Sequence, residues 1–428
     1  MPSLPNILEP VPWGAPPSAQ IVVPGSKSIT NRALVLAALA EGVTELRGAL
    51  WSEDTELMVE ALRGLGYTIE VEADPGEAGN RHLRVTGRGS QVPAGGTRDQ
   101  PVEVFVGLAG TAARFLPAML CLGEGVYRVS GVDRMHERPQ GALFSALREL
   151  GYTIEGERDD SHLPALIHGG GARPGAAATV CTTESSQFAS ALLLAGLVGG
   201  WQIDLADDSP NPYVQMTREQ IASFPRDGGT VVIEPDASGG SYFWAADALP
   251  LPGGTGGDLS LKQNIEVLHW PGSGWQIDAE FPRFLPLPST ISRRDDLADS
   301  ILTAMVVAPL GPGPVLFTEL GRLRVQECER VQVMRSELTK CGATVEEEGD
   351  TLLIGSGDLH GADIDPHGDH RIAMCFAVLG LSVPGIRIHD PACVAKTFPL
   401  FFHKLHAPPP HGFGVELRDG AGAPWVPA

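Results

Sequence analysis

From Val23 to Gly42 the chain reads VPGSKSITNRALVLAALAEG, with a lysine, an arginine and three hydroxyl side chains at the mouth of an otherwise apolar helix. The first backbone N–H groups of such a helix lack intrahelical partners, and its dipole is positive at that end. Ser26, Ser28 and Thr30 can cap the helix or hold a ligand, while Lys27 and Arg32 add full charges. Ser28 and Arg32 are four residues apart and share a face. The combination suits an anion, and by itself it equally suits an ordinary capped helix with two surface charges.

The pattern recurs. Small residues in GLAGTAAR leave the backbone open to a ligand beside Arg114, and DRMHERP sets Arg134 and Arg138 four apart at another helix start. SSQ at Ser185–Gln187 is hydroxyl-rich, RLRVQECER carries Arg324 and Arg330, GDHR ends in Arg371, and AKTFP contains Lys396. The chain has 31 Lys and Arg against 52 Asp and Glu, a formal charge of −21. Basic residues gathered at helix starts in so acidic a chain point to small ligands bearing several phosphates or carboxylates. His367 and His370 stand three apart, but no further cluster beyond Asp365 and Asp369 completes a metal site, so no metal is expected.

The elements that must carry these residues follow a rhythm. Six segments open on small or polar residues and then run apolar: those starting at Ser28, Gly110, Ser185, Ser238, Asp296 and Gly368. Amphipathic helices lie between some of them, and two of these end in nearly the same words, ALRGLGYTIE from Ala61 and ALRELGYTIE from Ala146. ECERVQVMRSELTKCGATVEEEGD from Glu327 has the same plan of helix, glycine stop and strand. A unit of about 70 residues therefore repeats six times, three to each half. VVIEPDAS from Val231 and IVVPGSKS from Ile21 serve as crossover strands, and LPLPGGTGGDL from Leu249 reads as a surface loop.

With 428 residues, two domains are the default. At 43% apolar and 6% aromatic residues the chain is globular, not disordered. The negative charge argues against nucleic acid or an anionic membrane as a partner. Six cysteines form no Cys-x-x-Cys pair, and several sit in apolar runs such as IAMCFAVLG, as buried thiols in a reducing compartment do. No apolar leader precedes Lys27, and ALLLAGLV and IAMCFAVLGL fall short of the ~18 residues of a membrane span, so a cytoplasmic protein is expected.

Ten stretches in order, PGSKSITNRALVLAALAEG, AGTAARF, DRMHERPQGAL, SSQFASALLLAG, NPYVQMT, DASGGSYF, LADSILT, LRVQECER, GDHRIAMCF and AKTFPLFFHKL, strongly resemble the enolpyruvyl transferases, closest to the branch whose acceptor is shikimate 3-phosphate. The resemblance runs from residue 24 to about 406 and so spans nearly the whole chain. It implies an α/β (α+β) fold of two domains, each of three βαββαβ-type repeats around buried helices. One lobe would be 21–234, the other 1–20 plus 235–428, with the active site in the interdomain cleft. It implies transfer of the enolpyruvyl group of phosphoenolpyruvate to the 5-hydroxyl of shikimate 3-phosphate by addition–elimination, without a cofactor, in a monomer. It also implies inhibition by glyphosate, since Gly110 is unsubstituted.

Carried over residue by residue, the resemblance assigns phosphoenolpyruvate to Lys27, Gly110, Arg134, Gln187, Arg330, Arg371 and Lys396. It assigns shikimate 3-phosphate to Lys27, Ser28, Arg32, Ser185, Ser186, Gln187, Tyr213, Asp299 and Gln326. Asp299 and Glu327 match the proton-transfer carboxylates, with Lys27 close by. Two carboxylates among several cations can hold separated pKa values, as an acid and a base acting on different atoms require. The local alternatives are a helix N-terminal charge for Asp299 and a mere ion pair with Arg330 or Arg324 for Glu327.

The chain departs from the family pattern at three places. Leu108 stands where Asn is common before AGT, Arg322 where Asn is common, and Gln326 where Lys is usual. Arg322 or Arg324 is expected to supply the charge that Gln326 lacks, and Ser209 is a candidate phosphate-binding serine. The related transferases of UDP-linked amino sugars carry a reactive cysteine in the loop matching GVDRMHERP; here Asp133 and Arg134 occupy it, and no Cys lies between Cys121 and Cys181. An enolpyruvyl transferase for another phosphorylated acceptor, or a catalytically silent homologue, remain the rival readings.

Overall fold

The computed structural model describes residues 4–206, 211–253 and 256–427. The chain packs as two compact units, Gly25–Glu234 and Met1–Pro24 with Pro235–Ala428. The break falls after Pro24 because the short strand Ala19–Ile21 pairs in parallel with Ile265–Val267 of the second unit.

In the Gly25–Glu234 unit the helices are α1 (Lys27–Ala38), α2 (Glu53–Gly64), α3 (Gly110–Leu120), α4 (Asp133–His136), α5 (Gly141–Glu149), α6 (Ser186–Gly199) and α7 (Pro212–Ser223). α1, α3 and α6 pack on one another. Their sequences are apolar or small on nearly every face, and a helix of that kind is stable only when enclosed. All eleven residues of α3 are buried. Two four-stranded sheets share one order. Gly229–Val232 runs parallel to Val43–Leu50, which pairs antiparallel with Asn80–Thr86 and through it Thr68–Ala73. Val102–Phe105, Glu124–Ser130, Ala165–Gly170 and Thr153–Gly156 repeat that plan. The third module has the parallel pair Ala177–Val180 and Gln202–Leu205.

The other unit carries α8 (Ala237–Ala248), α9 (Ile301–Val307), α10 (Arg330–Lys340), α11 (His370–Gly380) and α12 (Phe401–His406). α8, α9 and α11 form its enclosed trio, with all eleven residues of α11 buried. Thr290–Ser292, Val315–Thr318, Thr351–Gly355 and Thr344–Glu348 repeat the mixed order a third time. Ile7–Pro10 sits within a five-stranded sheet between Arg387–His389 and Leu417–Asp419. Phe243 of α8 packs on Phe398, Phe401 and Phe413 with ring centroids 5.5 to 6.0 Å apart.

The repeated words have one physical meaning. After α2, α5 and α10 a glycine with positive φ (Gly66, Gly151, Gly342) reverses the chain. The next N–H reaches back to a leucine carbonyl: Tyr67 to Leu62 at 3.0 Å, Tyr152 to Leu147 at 3.1 Å, Ala343 to Leu338 at 3.1 Å. This is the Schellman closure, which a residue with a Cβ disfavours. The six apolar segments read from the sequence are the six enclosed helices. Within the described residues, no helix is long and apolar enough to cross a membrane. Gly254 and Thr255, in the loop expected from Leu249, lie outside the described residues.

Candidate active site

The Pro235–Ala428 unit gathers a ring of charge. Arg330, first residue of α10, is 1% exposed, and its guanidinium meets three carboxylates. Nε lies 2.6 Å and Nη2 3.2 Å from Asp369, Nη2 lies 2.9 Å from Glu327, and Nη1 lies 3.6 Å from Asp299. Arg371 Nη2 lies 3.0 Å from the other oxygen of Asp299, Arg293 Nη2 lies 3.7 Å from Asp299, and Lys396 Nζ lies 3.3 Å from Glu327. Asp299, Glu327, Arg330, Arg371 and Lys396, widely separated in the chain, thus form one cluster.

Each member is fixed by its own element. Asp369 caps α11, accepting from the Arg371 N–H at 2.9 Å, and so aims Arg371 while holding Arg330. Lys396 ends the 3-10 turn Pro391–Lys396. Glu329 caps α10 and accepts from the Gln332 N–H, which starts the helix immediately after Glu327 and Cys328. Asp299 lies just before α9. The segment that opens at Asp296 turns helical at Ile301, and ahead of it the N–H groups of Ala298, Asp299 and Ser300 are taken by the Asp278 carboxylate.

Burial by itself would push the Asp299 carboxyl up; Arg371, Arg330 and Arg293 outweigh it and hold the group below the usual aspartate range, against a smaller opposing effect of Glu327. Arg330 stays protonated because Asp369, Glu327 and Asp299 more than offset its desolvation. Asp299 Oδ1 is buried with no hydrogen-bond donor among the described residues, an acceptor left open for a proton.

One expectation changes here. Arg324 cannot stand in for a lysine at 326: it is bound at 2.6 Å to Glu329, 2.8 Å to Glu347 and 2.9 Å to Asp350, a neutralised brace for the turn Gly321–Val325. Gln326 instead turns its amide oxygen to Arg330 Nη1.

The Gly25–Glu234 unit assembles a second group at helix starts. Lys27, the first residue of α1, is held 2.9 Å from the buried carboxylate of Asp54 on α2. Arg32 is 1% exposed and committed to the fold. It donates to Thr217 Oγ1 at 2.7 Å, the Ser28 carbonyl at 2.8 Å, Ser190 Oγ at 3.1 Å and the Tyr213 carbonyl at 3.4 Å. It therefore ties together the segments bearing Ser28, Tyr213 and, one turn after Ser186, Ser190. Ser185 caps α6, accepting from the Gln187 N–H at 3.2 Å. Asn211 caps α7 at Tyr213 and Val214. Ser209 lies outside the described residues.

Gly110 opens α3 beside two arginines. A Cβ there would lie 3.0 Å from Arg138 Nη2 and 3.4 Å from Arg114 Nη1. Arg134 is half exposed and paired with Glu137 at 2.5 Å, a surface contact of little energy. Residues missed from the sequence are Arg293, Asp369 as anchor of Arg330, and Asp54 as partner of Lys27. Only Asp369, inside the GDHR stretch, carried a local signal, as the N-cap of a helix.

The EPSP synthase (3-phosphoshikimate 1-carboxyvinyltransferase) family model matches residues 13–227 and 294–405. The 3-phosphoshikimate 1-carboxyvinyltransferase of Opitutus terrae is 38% identical, over 94% of this chain and 97% of its own length. That of Laribacter hongkongensis is also 38% identical, over 89% and 95%. Among solved structures, an EPSP synthase from Acinetobacter baumannii aligns over 96% of this chain and all of its own, with 23% identity and a TM-score of 0.69. The enolpyruvyl transferase NikO from Streptomyces tendae aligns over 97% and 99%, with 17% identity and a TM-score of 0.63. These two show the fold, whereas the family model and the curated relatives reach further: the chain belongs to the EPSP synthase family.

Proposed function

We propose that the chain transfers the enolpyruvyl group of phosphoenolpyruvate to the 5-hydroxyl of shikimate 3-phosphate and releases phosphate, a step of the shikimate pathway toward chorismate and the aromatic amino acids. The observation that carries this reading is the buried Arg330 guanidinium, bridging Asp299, Glu327 and Asp369 while Arg371 and Lys396 close on the first two.

The chemistry follows from that ring. Asp299, held ionised by three guanidiniums, accepts the proton of the attacking 5-hydroxyl. The oxygen bonds to C2 of phosphoenolpyruvate while C3 gains a proton and becomes a methyl group, giving a tetrahedral intermediate. We assign to Glu327, which has Lys396 3.3 Å away, the exchange of that C3 proton in both directions. Its removal re-forms the double bond as the C2–O bond to phosphate breaks. The steps are proton transfers and a phosphate departure, and we assign them no cofactor. Arg330, Arg371 and Lys396 neutralise the donor's phosphate and carboxylate and the charge that develops as phosphate leaves.

From the other unit we assign Lys27, Gly110, Arg134 and Gln187 to the donor. Ser28, Ser185, Ser186, Gln187 and Tyr213, with Arg32 as brace and charge and with Lys27, receive the acceptor, joined by Asp299 and Gln326. We further propose a cytoplasmic monomer that engages neither nucleic acid nor membrane.

Mixing the protein with both substrates and following phosphate release together with the enolpyruvyl ether tests the reading. Turnover with a different phosphorylated acceptor, and none with shikimate 3-phosphate, would move it to another enolpyruvyl transferase. Binding of both without turnover would make it a silent homologue.

A further inference from the structure

Asp278 lies on the 3-10 turn Ile277–Phe284, outside every stretch that carries the family resemblance, and is buried. Within the described residues it forms no ion pair, which is unusual for an enclosed carboxylate. Five donors satisfy it instead. Oδ1 accepts from the Ala298 N–H and the Ser300 hydroxyl, both at 2.7 Å. Oδ2 accepts from the Asp299 N–H at 3.2 Å, the Ser300 N–H at 3.2 Å and the Ser238 hydroxyl at 2.5 Å. Three of these are consecutive backbone N–H groups, the middle one belonging to Asp299.

We infer that Asp278 is a positioning residue that grips the backbone of residues 298–300 and so sets the Asp299 carboxylate against its three guanidiniums. Those cations are placed by other parts of the chain. Arg330 starts α10, Arg371 is the second residue of α11, and Arg293 follows the strand Thr290–Ser292. The contacts at 3.0, 3.6 and 3.7 Å therefore depend on where the turn before α9 holds Asp299. The groups facing Asp299 are these three arginines and Glu327, with Asp369 and Lys396 bound to the same partners. A carboxylate is suited to the grip because both its oxygens only accept, whereas an amide must turn an N–H₂ toward N–H donors.

The inference rests on the role proposed above for Asp299, and the experiment separates the two. In Asp278→Asn we expect kcat to fall on the order of 10- to 100-fold, the loss that follows a misplacement of about 1 Å, with smaller changes in KM. The acidic limb of the kcat–pH profile should move to higher pH as Asp299 leaves its cations. Added to Asp299→Ala, the same change should cost little further kcat. An unshifted limb, or an equal kcat loss in both backgrounds, would overturn the inference. Wild-type turnover in Asp299→Ala alone would instead remove the role of Asp299. Should Asp278→Asn fail to fold, Ser238→Ala removes one of the five donors and should move the limb in the same direction by less; a limb left in place there overturns the inference too.

Discussion

Asp369→Asn tests the central ring most directly. The side chain is 0% exposed and Arg330 1% exposed, so neither charge has water to fall back on. The amide oxygen can keep the cap to the Arg371 N–H at 2.9 Å, since Asn caps helices as well as Asp. Its N–H₂ then faces Arg330 Nε–H across the 2.6 Å now bridged by a carboxylate oxygen, and two donors meet there while the guanidinium loses the nearest of its three counter-charges. Breaking a buried pair by removing one partner costs about 3–5 kcal/mol. In a folded unit of about 200 residues each kcal/mol lowers Tm by about 2–4 °C, so a fall on the order of 10 °C is expected. The assay is calorimetric or circular-dichroism melting of the whole chain, with kcat measured in parallel. The kcat should also drop, because Arg330 is no longer held toward Asp299 and Glu327. A shift within about 1 °C, well below what a lost buried pair costs, would refute the claim that this pair is desolvated and stabilising.

Other tests follow from the same geometry. Asp299→Ala should reduce kcat by about 10²–10⁴-fold, the range of a positioned proton carrier, while calorimetric binding of phosphoenolpyruvate persists and that of shikimate 3-phosphate weakens far less than kcat falls. Because the folded pKa of Asp299 is depressed, its contribution to stability is present above the ordinary value of about 3.9 and is lost as pH falls through the depressed value. Acid unfolding of the wild type should therefore be steeper below about pH 4 than that of Asp299→Ala. Glyphosate should compete with phosphoenolpyruvate in steady-state kinetics, and full activity at large inhibitor excess would contradict this. In Gly110→Ala the new Cβ, 3.0 Å from Arg138 Nη2, should displace that guanidinium and raise the KM for phosphoenolpyruvate; an unchanged KM would show that Arg138 yields at no cost.

The local code of this protein was readable in its letters. Enclosed helices announce themselves because an all-round apolar helix has nowhere else to go, and α3 and α11 are buried at every position. Repeated glycine stops announce helix ends because only a residue without Cβ takes the left-handed turn freely, as at Gly66, Gly151 and Gly342. Capped helix starts placed Arg371 and the Ser185 hydroxyl for equally local reasons. Which charges meet which was another matter. Arg32 and Arg324 look like free anion binders in the string, yet the folded chain commits one to Thr217, Ser190 and two carbonyls, and the other to three carboxylates. Asp278, Asp369 and Arg293 reach the cluster through contacts to Ala298, Arg330 and Asp299, which lie 20, 39 and 6 positions away, and no short motif encodes such pairings. Hydrophobic periodicity and capping act within one or two turns of backbone, whereas the choice among many possible ion pairs is made by how whole helices pack, which fixes both the distances and the exclusion of water that give those pairs their strength.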